Sequence, residues 1–162
     1  MTDDSKVKTG PVPEGYPRVS PHLFVAGAET AIEFYRAVFG ATERMRIREP
    51  DGRIGHAELR IGDSLIMLAE EFPEYDAPGP RSVGGTPVAI SVHVDDVDEV
   101  FDRALAARAR PLRPVVDEIY GDRVGMFEDP FGHRWMVATH VEDVPLEEIA
   151  RRVAASQVQG PT

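Results

Sequence analysis

Histidines and carboxylates are the side chains of this sequence that could do chemistry. The 162 residues include five histidines and 28 acidic residues but no cysteine, which excludes thiolate chemistry and a disulfide framework. His22 and His93 each lie in a short apolar segment that precedes a helical pattern, and Glu70 follows the apolar run SLIMLA. Two histidines and one carboxylate are a ligand set for iron or zinc. Their roles depend on the elements that carry them.

Those elements occur twice in the chain. At an offset of 69 residues, an apolar strand and an amphipathic helix recur, which pairs Val25 with Val94. At an offset of 70, the hairpin RIGHAELRIGDSLIMLAE matches RVGMFEDPFGHRWMVATH, which pairs Gly62 with Gly132. Because both copies keep the same order of elements, we predict two βαβββ modules that superpose on these residues.

The repeat divides the chain into five predicted parts. These are a flexible N-terminal tail (1–17), a first module (18–70), a linker (71–86), a second module (87–140), and a C-terminal helix and tail (141–162). Helical spacing predicts a helix over Ala28–Phe39, ended by Gly40 in a left-handed conformation. A second helix is predicted over Val97–Ala107, capped by Asp95 or Asp96.

Composition excludes several classes of partner. The net charge of −10 disfavours binding to nucleic acid and to anionic membranes, although a solvated surface carries such charge as well. No apolar run approaches the roughly 18 residues of a membrane span. The N-terminal MTDDSKVKTG has no apolar signal region, so we expect a cytoplasmic protein.

Four stretches carry a resemblance to a known family. FVAGAETAIEFYRAVFGA, HAELRIGDSLIMLAE, VHVDDVDEVFDRALAARA and YGDRVGMFEDPFGHRWMVATHVEDV resemble the vicinal oxygen chelate superfamily, which includes glyoxalase, the bleomycin-resistance proteins and the extradiol dioxygenases. The last stretch looks especially like the PhnB-like branch. The resemblance implies an α+β fold in which two βαβββ modules form a curved mixed sheet around a cup-shaped cavity. It also implies a homodimer.

The resemblance also implies four positions where metal-dependent members hold their ion. They fall on Ser20, Ile66, Ala89 and Met136. Divalent metals are bound preferentially by imidazole or carboxylate groups, and none of these four residues supplies one. We therefore expect no metal cofactor and predict a protein that binds a small organic ligand, with sequestration of a toxic compound as one use. The expected site is a cup lined by Ser20, His22, Phe24, Ile66, Leu68, Ala89, Ser91, His93, Met136 and Ala138.

Two alternatives stay open. Because strand side chains alternate, His22, His93 and Glu70 share faces with the family's positions and could form a displaced site for zinc, nickel, manganese or iron. The protein would then be a metal-dependent lyase, isomerase or dioxygenase. We favour the simpler interpretation, in which each of the three is a strand-end residue near solvent. The second alternative is a structural or regulatory dimer whose cup is filled by its own side chains.

The remaining polar and aromatic candidates receive structural interpretations. His56 and His133 are predicted at the surface, Glu128 and Asp129 in solvent beside a turn, and Trp135 on the outer face of its sheet. Arg53 and Arg123 repeat, which favours a structural role, although Tyr120 and Arg123 could reach a ligand.

Overall fold

The computed structural model describes residues 9–158, so residues 1–8 of the predicted N-terminal tail (1–17) and residues 159–162 of the predicted C-terminal helix and tail (141–162) lie outside them. Two four-stranded mixed sheets carry interspersed helices and do not close on each other, which confirms the predicted α+β class. The first module comprises β1 (His22–Val25), α1 (Ala28–Phe39), β2 (Thr42–Arg48), β3 (Ile54–Ile61) and β4 (Ser64–Glu70). The second comprises β5 (Ala89–His93), α3 (Val97–Ala106), β6 (Arg110–Asp117), β7 (Asp122–Glu128) and β8 (Arg134–His140). A 3₁₀ turn (Pro73–Tyr75) and α2 (Pro80–Val83) lie between the modules, and α4 (Leu146–Val158) follows them.

Both sheets have the same topology. Their strand orders are β1-β4-β3-β2 and β5-β8-β7-β6. The first strand of each module pairs in parallel with the last, and the other pairs are antiparallel. Parallel pairing requires a crossover connection, which begins with the helix of each module.

The pairing of strands corrects the predicted register of the repeat. His22 pairs with Met67 in the first module, and Ser91 pairs with Met136 in the second. Met67 and Met136 are therefore equivalent, at an offset of 69 rather than 70. Gly62 lies in a shorter turn than Gly132, because the hairpin pair Ile61–Ser64 encloses two residues while Glu128–Arg134 encloses five. The prediction that these two glycines superpose is wrong.

Each sheet has one face against its helix and one face away from it, which we call the cup face. Leu23, Leu68 and Leu59 lie on the helix side of the first sheet and are buried in the core. The predicted helix α1 is confirmed, and Gly40 ends it with a φ of 65°.

An aromatic cluster joins the two modules. Phe34, Tyr35 and Phe39 of α1 contact Phe127 of β7 and Trp135 of β8, with ring centroids 4.6 to 6.4 Å apart. Trp135 is fully buried on the outer face of its sheet, as predicted. The modules therefore share one hydrophobic core.

The two helix N-termini are capped from the last strand of their module. Glu70 accepts hydrogen bonds from the amides of Gly27 and Ala28, each at 2.8 Å, and Thr139 Oγ1 accepts one from the Val97 amide at 2.9 Å. Asp96 adds a side-chain cap to α3 by accepting a hydrogen bond from the Glu99 amide. Of the two predicted caps, Asp95 and Asp96, the structure therefore has Asp96. Across residues 9–158, no helix is long and apolar enough to cross a membrane.

Candidate functional site

A buried carboxylate lies at the centre of the cup face of the first module. Glu58 of β3 is only 3% exposed. It pairs with Met67, which pairs in turn with His22, so the three side chains share the cup face. His56, two residues before Glu58, shares this face, and its Nε2 lies 3.1 Å from Glu58 Oε1.

Glu58 is held in its ionised form. Burial alone would raise its pKa, but hydrogen bonds from His56 and Tyr16, together with the charge of Arg44, bring the pKa below its ordinary value. The Arg44 guanidinium is 4.0 Å from Glu58 Oε2. The site therefore presents a negative charge with little access to water.

His22 is the imidazole nearest to this pair. Its ring lies 5.0 Å from the Phe24 ring and 5.7 Å from the His56 ring, centroid to centroid. Partial burial and the neighbouring His56 lower the pKa of His22 below its usual value of 6.5. Within residues 9–158 the His22 ring has no hydrogen-bond partner, so it offers both a donor and an acceptor at neutral pH.

The second module has an apolar counterpart of this cluster. The register makes Met126 equivalent to Glu58, Val124 to His56, and Ser91 to His22. A cavity of about 190 Å³ lies over this face, lined by Arg113, Pro114, Val116, Glu118, Tyr120, Val124, Gly125, Met126 and Met136. The position of the second module that is equivalent to Glu58 therefore holds an apolar side chain.

The predicted cup residues do not gather at one place. Ile66 pairs with Leu59, and Leu68 with Leu23, on the helix side of the first sheet. Their predicted place on the cup face is wrong, because the offset of 70 moved β4 by one residue. Phe24, with Ala69 beside it, and the second-module residues Ala89, Ser91, His93, Met136 and Ala138 do lie on cup faces.

A wider cavity lies between the modules. It measures about 660 Å³ and is lined by Pro17, Val19, Pro21, Ile61, Gly62, Asp63, Ser64, Leu65, Ile66, Ile90, Ser91, Val92, His93 and Trp135. Three predicted ligand contacts, Ile66, Ser91 and His93, thus meet here.

The three residues of the alternative metal site, His22, His93 and Glu70, have different surroundings in the structure. Glu70 caps α1. His93 Nε2 is 3.5 Å from Asp122, whose carboxylate also binds His140 at 2.7 Å. His22 belongs to the Glu58 cluster. Among residues 9–158, no three histidine or acidic side chains are placed to hold one ion.

The family's own metal positions do not fit a divalent ion either. With the corrected register they hold Ser20, Met67, Ala89 and Met136. Ser20 Oγ is buried without a partner among the described residues, but one neutral hydroxyl and soft thioethers do not replace a hydration shell.

Several other predicted roles need correction. Asp129 is 1% exposed, not solvated, because α1 covers the turn. His133 binds the Phe24 carbonyl oxygen at 3.0 Å, and His56 lies on the cup face, so neither is a simple surface group. Arg123 forms two hydrogen bonds to Asp98, in line with the structural role.

Sequence reasoning missed Glu58, His56 and Tyr16 as a group. The Tyr16 hydroxyl lies 3.0 and 2.9 Å from the two carboxylate oxygens of Glu58. The sequence carries no signal for this group. Alternation along the strand places Glu58 on the face opposite Ala57 and Leu59, where a carboxylate is usually solvated.

Comparisons with known proteins agree with this architecture. Residues 17–137 match the model of the Glyoxalase/Bleomycin resistance protein/Dioxygenase superfamily. Uncharacterized protein Mb0911c of Mycobacterium bovis is 43% identical, over 89% of this chain and 95% of its own length. The structure of TioX from Micromonospora sp. ML1 is 27% identical, with a TM-score of 0.58 over 80% of this chain and all of its own. PA1353 from Pseudomonas aeruginosa has a TM-score of 0.65 at 24% identity, over 78% of this chain and 99% of its own. The chain belongs to the glyoxalase/bleomycin resistance protein/dioxygenase superfamily.

Proposed function

We propose that this protein binds a small organic ligand on the cup face of its first module and works by sequestering it. The observation that carries the proposal is the ionised, buried Glu58. Burying a carboxylate without partners costs free energy, and here hydrogen bonds from His56 and Tyr16 offset that cost. The equivalent position of the second module holds Met126, so the charged group is specific to the first module. A buried carboxylate surrounded by several polar partners is a candidate for a binding site.

The surroundings of Glu58 suit an aromatic or amphipathic ligand. Phe24 and Met67 supply apolar contact on the same face, while His22 and His56 supply adaptable hydrogen bonds. Mostly apolar sites with a few placed polar groups are typical of organic ligands.

Calorimetric titration with a panel of organic compounds tests this function. Glu58→Met installs the residue of the equivalent second-module position, and Met126→Leu is the matched control. We expect the Kd of a bound compound to rise at least about tenfold in Glu58→Met, because a charged hydrogen bond is worth about 1.5–3 kcal/mol. The control should stay within about twofold. Binding that ignores Glu58, or no binding at all, would contradict the proposal.

Metal-independent proton transfer is a second candidate, favoured by the lowered pKa of His22, which has no hydrogen-bond partner among residues 9–158 and lies beside the His56–Glu58 pair. The metal-dependent lyase, isomerase or dioxygenase is the rival to both. Metal analysis of protein purified without a histidine tag separates them. Stoichiometric zinc, nickel, manganese or iron that disappears in His22→Ala would favour the rival.

We also propose a homodimer. Ile47 of β2 and Val116 of β6 are 50% and 44% exposed on the cup faces of one edge strand in each sheet. Such edges are usually covered.

A further inference from the structure

Tyr16 is the only residue among residues 9–158 that forms a hydrogen bond with Glu58 from outside the sheet. Its hydroxyl reaches both carboxylate oxygens, at 3.0 and 2.9 Å. The Arg44 guanidinium lies 4.3 Å from the centroid of the ring, which is cation–π geometry. The site therefore holds a flat hydroxyaromatic group by its hydroxyl and by its face.

The segment that delivers Tyr16 contributes little else to the fold. Residues 9–20 form no strand or helix and contain Pro11, Pro13 and Pro17. Within the described part of the chain, its backbone has one side-chain hydrogen bond, from Arg60 to the Gly15 carbonyl, which is long at 3.5 Å. The chain becomes anchored at Pro21, whose carbonyl accepts from the Met67 amide at 2.9 Å.

Space for a ligand exists beside this segment. An open groove of about 480 Å³ beside it is lined by Pro11, Val12, Pro13, Tyr16, Pro17, Arg18 and Met67. This volume falls within the range of small-molecule sites. Tyr16 and Met67 line this groove and also flank Glu58, so displacement of the Tyr16 ring would open the groove to the carboxylate.

We propose that the Glu58 site takes a ligand bearing a phenolic hydroxyl, and that Tyr16 holds the place of that ligand until it is displaced. The inference rests on the proposed function. It names the class of ligand that the Glu58 site binds, and it assigns to Tyr16 the role of a latch, a side chain that fills the site until the ligand displaces it. One phenol replaces another, so the hydrogen bonds to Glu58 are exchanged and not lost. A tethered competitor acts at an effective concentration of about millimolar, which lowers the apparent affinity of a free phenol.

The probe is 4-nitrophenol, whose yellow phenolate band reports its ionisation. Titrations at pH 7 would compare the full-length chain with Tyr16→Ala, which empties the site, and Tyr16→Phe, which removes only the hydroxyl. We expect binding at least about tenfold tighter in Tyr16→Ala and an intermediate gain in Tyr16→Phe. Binding should bleach the phenolate band, because an ionised carboxylate accepts a hydrogen bond from the neutral phenol and repels its anion.

Two further variants locate the effect. Glu58→Gln in the Tyr16→Ala background should abolish the gain. Tyr75→Ala is the matched control, since Tyr75 is 78% exposed in the inter-module 3₁₀ turn and should leave binding unchanged. Circular dichroism of each variant verifies folding, and Tyr16→Phe remains informative even if Tyr16→Ala is destabilised.

The outcomes separate this inference from the proposed function. Equal 4-nitrophenol binding by the unaltered chain and both Tyr16 variants overturns the latch. If other organic compounds bind in a Glu58-dependent manner while the affinity for 4-nitrophenol is the same with and without Tyr16→Ala, the phenol inference fails and the proposed function stands. If no compound depends on Glu58, both fail.

Discussion

The Tyr35 hydroxyl of α1 donates a hydrogen bond to Asp129 Oδ2 at 2.6 Å, across 94 residues of sequence. The same oxygen accepts from Trp135 Nε1 at 2.9 Å, and Oδ1 accepts from the amides of Phe131 and His133. Burial, followed by the charge of Asp129, raises the pKa of Tyr35 well above its usual value, so the phenol stays a donor. One carboxylate thus fixes the β7–β8 turn against the first module.

Substitution of Asp129 should be strongly destabilising. Asp129→Ala leaves two side-chain donors and two backbone amides buried without an acceptor, at about 1–3 kcal/mol each. We expect a loss of about 4 kcal/mol or more in the free energy of unfolding, measured by urea denaturation. Asp129→Asn keeps one oxygen and should lose less. Asp63→Ala, in the exposed turn of the first module, is the control and should change stability by no more than about 0.5 kcal/mol.

Two histidines should titrate on opposite sides of their common reference pKa. Partial burial and His56 lower the pKa of His22 below 6.5, whereas Asp143 and Asp122 raise that of His140 above 6.5. Imidazole proton shifts in NMR, assigned with His22→Gln and His140→Gln, measure both midpoints. Coincident midpoints would contradict the described environments.

These shifts give opposite contributions to stability. The folded pKa of His22 is lowered, so its contribution is present above pH 6.5 and is lost as the pH falls through the folded pKa. The folded pKa of His140 is raised, so its contribution is complete below pH 6.5 and is lost as the pH rises through the folded pKa. Urea titrations of the two variants across this range should show slopes changed in opposite directions.

Glu70 should act as a helix cap and not as a metal ligand. Glu70→Ala removes the acceptor for the amides of Gly27 and Ala28 and the negative charge at the N-terminus of α1. We expect a loss of about 1–2 kcal/mol in unfolding free energy, with a smaller loss for Glu70→Gln. Glu33→Ala, on the exposed side of the same helix, is the control. A change in bound metal without a change in stability would contradict the cap.

Sedimentation equilibrium should give twice the chain mass of 17.9 kDa at micromolar concentration. The expected contact covers the apolar side chains at the open edge strands, including Ile47 and Val116. Ile47→Lys should shift the mass toward that of one chain. Val83→Lys is the matched control, because this residue is exposed in α2 and is not part of an edge strand. A sedimentation mass of one chain for the unaltered protein would contradict the proposed homodimer.

Sequence reasoning found most elements because their signals are local. The apolar spacing of α1 and the left-handed Gly40 fix that helix within the sequence itself. The register of β4 is different, because turn length and backbone pairing set it. Matching Gly62 to Gly132 ignored the longer second turn, and a slip of one residue moves every side chain to the opposite face. Ile66 was therefore placed on the cup face where Met67 lies.

The candidate site was predicted less well because its key contacts are long-range. Tyr16 and Glu58 are 42 residues apart, and no periodicity connects a proline-rich segment with the centre of β3. Asp129 was placed in solvent because residues beside turns usually are. Only the packing of α1 over that turn, which involves Tyr35, reverses this expectation.

The aromatic cluster between α1 and β8 has a consequence for how the chain can be divided. Each module completes its core with rings from the other, such as Phe39 against Trp135 at 4.6 Å. A chain cut in the segment at residues 71–86 would give two halves that expose these rings when apart. Co-expressed, the halves should reassemble like subunits, and their melting temperature should then rise with protein concentration.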